Sequence, residues 1–160
     1  MKVVLIALSL MLGQSAFASW KSESRAILKE YAYACKNVEV NVDSIVRDEQ
    51  IKGHVKGLPQ EAYEKFKMVF YVKTNRWYVH PFVSPDSGIG HADLKEDGSF
   101  EIRTVRRDVP SKQLAAVLVP KPYLARSQRF LLRPLFGFIG GVLKYQCNHK
   151  IVQGNGDFLY

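Results

Sequence analysis

The sequence predicts an all-β protein, an antiparallel β-sandwich of about seven to eight strands with a short N-terminal helix or extension. Short runs that alternate apolar and polar residues recur from Val38 onward, as in strands that bury one face. Turn-forming residues separate these runs, and short strands punctuated in this way are typical of a sandwich. A predicted leader at the start leaves roughly 140 of the 160 residues, enough for one domain with its own core.

The leader is residues 1–18, which have the three parts of a secretory signal peptide. Lys2 precedes the apolar run VVLIALSLML, and the small-residue site Ala16-Phe17-Ala18 follows it. This order predicts cleavage near Ala18 and a mature protein that is secreted or periplasmic. The apolar run is shorter than the roughly 20 residues that span a bilayer, so we expect no transmembrane segment in the mature chain.

Residues 19–37 form a separate N-terminal segment before the predicted sandwich. Its apolar side chains follow helical spacing at Ile27, Tyr31 and Ala34, with a serine near its start as a possible N-cap. The end of the segment also alternates Tyr31, Tyr33 and Cys35, which is compatible with a strand. The sequence favours a helix here and leaves the strand as an alternative.

The sandwich domain is predicted over residues 38–160, which include a basic C-terminal segment, 120–160. Turns are indicated between its strands, and Asp97-Gly98 between two alternating runs is a strong hairpin signal. The predicted strands are 38–42, 51–57, 66–74, 77–83, 90–96, 99–105, 114–120 and a last strand within 142–152.

Four segments carry a resemblance to a known type of module. They are GHVKG (53–57), VFYVKTNRWYVHPF (69–82), ADLKEDGSFEI (92–102) and LAAVLV (114–119). Together, residues 38–119 resemble an immunoglobulin-like accessory module of secreted bacterial proteins, similar to fibronectin type III or transthyretin-like sandwiches. The resemblance implies an immunoglobulin-like sandwich that binds or spaces rather than catalyses, and it supplies no catalytic residues.

The chain has two cysteines, Cys35 and Cys147, near opposite ends of the mature protein. In an oxidising compartment an even pair predicts one disulfide bond, and only one pairing is possible. The alternative is two buried thiols.

An aromatic-rich strand, 77–83, predicts both a core residue and a ligand platform. Alternation places Trp77 and Val79 on one face and Tyr78, His80 and Phe82 on the other. A large apolar residue is needed where two sheets pack, so we expect Trp77 in the core. The opposite face would then expose Tyr78, His80 and Phe82, which we predict to be ligand-binding because flat aromatic rings stack on sugars and apolar ligands.

Positive charge is concentrated near the C-terminus, since residues 109–156 contain seven Lys or Arg and no Asp or Glu. Within this stretch Arg126, Arg129 and Arg133 would line one stripe of a helix, among leucine and phenylalanine side chains. We predict that these arginines bind ligand. The segment 120–145 either covers the core or contacts a membrane surface, and the sequence leaves both alternatives open.

The predicted compartment selects the partners. An anionic glycan, lipopolysaccharide or a phospholipid surface fits an exported basic protein, and arginine grips phosphate or carboxylate with two bonds. Nucleic acid is not expected, because an exported chain rarely meets it and no recognition motif is present.

Signals for catalysis are weak. No G-x-S-x-G nucleophile elbow occurs, and His54, His80 and His91 lie on different predicted strands without metal-ligand spacing. We therefore predict no catalytic residue, metal or cofactor, and a secreted, non-catalytic binding or structural module of the cell envelope. The competing hypothesis is a secreted hydrolase, which would require two or more of these histidines and nearby carboxylates to meet in a cleft.

Overall fold

The computed structural model describes residues 20–46, 49–75, 77–80, 90–104, 111–124 and 142–154. The predicted signal peptide, Phe82 and the three arginines Arg126, Arg129 and Arg133 lie outside these ranges. No helix in the described part of the chain is long and apolar enough to cross a membrane.

The N-terminal segment is helical, so the prediction of a helix is confirmed and the alternative strand is wrong. Residues 20–30 form α1 and Ala32–Cys35 form α2. One side of the segment packs on the core through Ile27, Leu28, Tyr31 and Ala34. The Tyr31 ring meets the edge of Phe66 at a centroid distance of 5.8 Å. Packing on the sheets therefore fixes the helical face that the spacing predicted.

Eight strands follow within the described residues, all with antiparallel partners. Short 3₁₀ helices occupy Gln60–Lys65 and Val142–Tyr145. The strands are β1 (Glu39–Val46), β2 (Gln50–Lys56), β3 (Phe66–Lys73), β4 (Trp77–Val79), β5 (His91–Asp93), β6 (Ser99–Arg103), β7 (Gln113–Pro120) and β8 (Asn148–Gln153).

The strands form two sheets, which confirms the all-β prediction. The smaller sheet has the order β1-β2-β6. The larger has the order β4-β3-β7-β8, and β5 also pairs with β3. Because β7 pairs with β3 along its full length, β4 and β5 share the opposite edge of β3, end to end.

The turn between β5 and β6 carries the chain from the larger sheet to the smaller one. It contains the predicted Asp97-Gly98 pair, and Gly98 has φ of 77°, a left-handed conformation that glycine adopts without strain. The Gly98 N–H donates to the carbonyl of Lys95 at 2.9 Å, and the Gly98 carbonyl accepts from Val55 N–H at 2.9 Å. The hairpin signal therefore marks a real turn, although the strands that flank it belong to different sheets.

One hydrophobic cluster contains side chains from both sheets and forms the main core. On β3 its members are Phe66, Met68, Phe70 and Val72, which alternate along one face of the strand. Phe70 meets Phe100 of the smaller sheet at a ring-centroid distance of 5.7 Å. The remaining buried members are Val38, Val40, Ile51, Val55, Leu58, Ala62, Ala92, Ile102, Leu114, Ala116 and Leu118.

A second hydrophobic cluster lies on the other face of the larger sheet. It includes Val69 and Tyr71 of β3 together with Trp77 and Val79 of β4. Trp77 is buried as predicted, with 4% of its surface exposed, but it faces away from the smaller sheet rather than towards it. The larger sheet is thus covered on both faces, as the nearly continuous apolar run of β3 requires.

Three aromatic rings gather over this outer face and join distant parts of the chain. Trp20, at the start of α1, lies 5.7 Å from the Tyr123 ring and 5.3 Å from the Tyr145 ring. The Arg25 guanidinium stands 5.8 Å from the Tyr145 ring, which adds a cation–π contact. The N-terminal segment therefore packs on both hydrophobic clusters. Trp20 at its start contacts the second cluster, and the residues further along contact the main core.

The predicted disulfide bond joins Cys35 and Cys147, with an S–S distance of 2.02 Å and a Cα–Cα distance of 5.0 Å. The alternative of two buried thiols is wrong. The bond ties the end of α2 to the residue before β8, and the Asn148 side-chain amide donates to the Val38 carbonyl beside it. The end of the N-terminal helical segment and the start of β8 are therefore fixed at one place.

Candidate functional site

The predicted aromatic platform is not exposed in the way that alternation suggested. Tyr78 is half-buried against the main core, and its hydroxyl donates to Asn75 Oδ1 at 3.2 Å. His80 has 0% of its surface exposed, and its backbone N–H donates to the Phe70 carbonyl at 3.0 Å. The expected exposure of His80 is wrong because both faces of the larger sheet are covered. Ligand binding by Tyr78, His80 and Phe82 stays a prediction.

The histidines that would build a hydrolytic site lie apart. His54 is on β2 of the smaller sheet, whereas His91 is on β5 of the larger one. No group of three or more His, Cys, Asp or Glu side chains in the described ranges is placed to hold a metal ion.

One histidine, His54, does have a carboxylate partner. Its Nδ1 lies 2.8 Å from Asp43 Oδ2, and both side chains are on the exposed side of the smaller sheet. A β-bulge between Val42 and Ser44 leaves Asp43 without a direct cross-strand partner and turns it towards His54. The bulge is the signal that sequence alternation could not reveal.

The next strand of the smaller sheet, β6, places Ser99 directly opposite His54. Ser99 is engaged elsewhere: its backbone N–H donates to Asp97 Oδ1 at 2.8 Å, and its hydroxyl also bonds the Asp97 carboxylate. These bonds lower the pKa of Asp97. The Asp43 carboxylate, the His54 imidazole and the Ser99 hydroxyl thus lie on three neighbouring strands. The hydroxyl, however, donates to Asp97 rather than to His54.

An open groove of about 780 Å³ lies between the first 3₁₀ helix and the turn that follows β5. Its walls carry three carboxylates, from Glu61, Glu64 and Glu96, beside Lys95. Tyr63 and Leu94 also line it and pack against the main core. Neither Tyr78 nor His80 lines the groove, and its acidic lining is opposite in sign to the charge of the whole chain.

A basic cluster occupies the outer face of the larger sheet near the edge shared by β4 and β5. It consists of Lys67, His91, Asp93 and Lys121. Lys67 on β3 has Asp93 on β5 and Val119 on β7 as its cross-strand partners. Lys121 follows β7, where its N–H donates to the Lys65 carbonyl at 2.8 Å, and its Nζ lies 3.4 Å from Asp93 Oδ1. The sequence separates these residues widely, and only the strand register brings them together.

The members of the basic cluster share one electrostatic environment. Burial lowers the pKa of the Lys67 ammonium; Asp93 opposes that shift and Lys121 adds to it. Burial also lowers the pKa of His91, and the charge of Lys67 lowers it further. The charges of Asp93 and Lys121 therefore reach both Lys67 and His91.

This environment gives His91 a measurable role in stability. Folding favours its neutral form, so below its ordinary pKa of 6.5 the unfolded chain binds more protons than the folded one. We therefore expect the free energy of unfolding to fall as pH falls through that range, and to fall less in a His91→Gln variant. Urea unfolding at pH 7, 6 and 5 measures both. An equal decrease in the two proteins would contradict the assignment.

Comparisons with known proteins add no assignment to this geometry. No protein-family model matches the chain, and no curated protein or solved structure is significantly similar to it. Function is therefore argued from the residues and the site alone.

Proposed function

We propose that the protein is a secreted or periplasmic, non-catalytic module of the cell envelope that binds an anionic glycan, lipopolysaccharide or phospholipid headgroup. The observation that carries the proposal is the stretch 109–156, which has seven basic residues and no acid. The four lysines of this stretch in the described ranges are exposed: Lys112, Lys121, Lys144 and Lys150. An excess of positive charge attracts anionic polymers and membranes through its summed field.

Export is supported by two independent features. Residues 1–18 follow the pattern of a signal peptide, and the cysteines are bonded, as is common in oxidising compartments. We propose cleavage near Ala18, which leaves Trp20 close to the new N-terminus.

The immunoglobulin-like resemblance also supports a binding or structural role. Two antiparallel sheets that share a core are compatible with such a module, and the resemblance is to modules that bind or space. A hydrolase has less support. The Asp43–His54 pair lies on an open face, and its neighbouring hydroxyl, on Ser99, bonds Asp97.

The experiment uses the exported, processed protein with heparin and with vesicles of phosphatidylglycerol or phosphatidylcholine. We expect binding to heparin and to the anionic vesicles that weakens steeply as salt rises, since exposed charges act over about 8–10 Å at physiological ionic strength. Replacing Arg126, Arg129 and Arg133 together by glutamine should reduce binding to background. Circular dichroism checks that the variant stays folded.

The matched control removes the same charge from the part of the chain where acids balance bases. Lys36, Lys52 and Lys56 are partly or fully exposed and lie outside the basic stretch. Their joint replacement by glutamine should weaken binding far less than the arginine change. Retention that ignores salt, or that survives loss of the three arginines, would refute the proposal.

A further inference from the structure

We propose that Lys67, His91 and Lys121 form a binding site for a single phosphate group, at the β3–β5 edge of the larger sheet. The inference rests on the proposed function and deepens it, because it names phosphate as the group recognised and gives its position. The phosphate is a phosphomonoester of a lipid headgroup or is free in solution, and both sources present at least three non-bridging oxygens.

The first argument is the burial of Lys67. Only 6% of its surface is exposed, although it is a lysine on the central strand of an apolar sheet. No hydrogen bond or ion pair joins its ammonium to another side chain in the described ranges. Lysine is rarely this buried unless paired, and its ammonium needs oxygen acceptors, from water or from another group. An oxyanion bound beside it would supply them.

The second argument is the charge of the basic cluster. Lys67 and Lys121 carry two positive charges, His91 adds a third when protonated, and Asp93 supplies the only carboxylate of the cluster. That carboxylate already pairs with Lys121 at the rim, where about half of the Lys121 side chain and 60% of the Asp93 side chain are exposed. The cluster therefore keeps a positive excess that is open to solvent on one side.

The third argument is the donor set. His91 Nδ1 is buried and has no hydrogen-bond partner in the described part of the chain. A Lys67 ammonium, a Lys121 ammonium and an imidazole N–H are three donor groups on three separate segments of chain. A phosphate monoester or free phosphate has at least three oxygens that can accept from three such donors, whereas a carboxylate has only two. Lysine serves such sites as a point charge.

The test is calorimetric titration of the processed protein with inorganic phosphate. Lys67→Met keeps most of the unbranched side chain and removes its charge, and we expect it to weaken binding at least tenfold. Asp93→Asn removes the competing carboxylate, so binding should become several-fold tighter. Lys52→Met is the matched control, because it removes one lysine from the smaller sheet, and it should leave binding within twofold of the parent.

The test is strict because the two variants are expected to change phosphate affinity in opposite directions. Unchanged binding in Lys67→Met, or weaker binding in Asp93→Asn, would overturn the site. If Lys67→Met does not fold, Lys121→Gln replaces it, since Lys121 is at the rim; unchanged phosphate binding in that variant overturns the site equally.

Vesicles separate the two sources and the two proposals. If the protein is retained more tightly by phosphatidic acid vesicles than by phosphatidylcholine vesicles, and Lys67→Met loses the difference, the phosphate is that of a lipid. If the protein binds inorganic phosphate but shows no such preference between vesicles, the phosphate is a free one. Phosphate binding without heparin or vesicle binding would keep the site and refute the proposed function. Salt-sensitive vesicle binding without phosphate binding would do the reverse.

Discussion

Replacing Cys35 and Cys147 together by serine is expected to lower the free energy of unfolding by about 4–5 kcal/mol. The bond joins residues 112 positions apart, so it restricts nearly the whole unfolded chain. In the chain-entropy account, the loss of that restriction makes the unfolded state more favourable while the folded contacts stay. Urea unfolding of both proteins without reductant measures the difference.

Reduction gives the matched control for the cysteine variant. The parent protein with dithiothreitol should unfold at nearly the same urea concentration as the serine variant, and dithiothreitol should not change the variant. If the reduced parent were as stable as the oxidised one, the bond would not contribute to stability. The packing of Tyr31 on Phe66 and of the helix on the core would then be sufficient to hold the N-terminal segment.

Replacing Trp77 by alanine is expected to lower the free energy of unfolding by about 3–5 kcal/mol. The indole is 4% exposed and packs in the outer cluster with Val79 and Tyr71. Its removal loses buried apolar contact and leaves a cavity in an edge strand of three residues, which has little other support. Chemical unfolding followed by circular dichroism measures the loss, since the variant lacks one of the two tryptophan signals.

Two tyrosines serve as controls for the Trp77 variant. Tyr33 is 80% exposed, and Tyr33→Ala should change stability by less than about 0.5 kcal/mol. Tyr78→Ala should fall between the two, because Tyr78 is half-buried against the main core. Equal losses for Trp77→Ala and Tyr33→Ala would contradict the burial of the outer face.

Local pattern predicted the strands well where one physical signal dominated. The spacing of apolar residues predicts β3 and β7, and the backbone freedom of glycine predicts the turn at Gly98. The even number of cysteines predicts the disulfide bond. The sequence predicts a last strand within 142–152, but strand pairing begins at Asn148. Residues 142–145 instead form a 3₁₀ turn whose Val142 and Tyr145 enter the second hydrophobic cluster.

The site was harder to predict because it depends on register. Alternation separates two faces of a strand without telling whether one or both are covered, so Tyr78 and His80 were expected at the surface. The pairing of Lys67 with Asp93, and the approach of Lys121, depend on which strands meet and at which residue. The bulge at Asp43 likewise changes which side chain meets His54. The distribution of charge along the sequence does not reveal which of these residues are neighbours in the fold.

The position of β8 has a consequence for the order in which the chain can fold. The β1–β2 and β3–β4 pairings are local and can form early, but β3 gains its full-length partner only from β7, and β7 has its second partner in β8. The disulfide bond to the N-terminal helical segment also cannot form until Cys147 has been made. Pairings between such distant segments form slowly, because a long loop must close before contacts repay it. A chain synthesised from its N-terminus therefore cannot complete the larger sheet or the disulfide bond until Cys147 and β8 have been made.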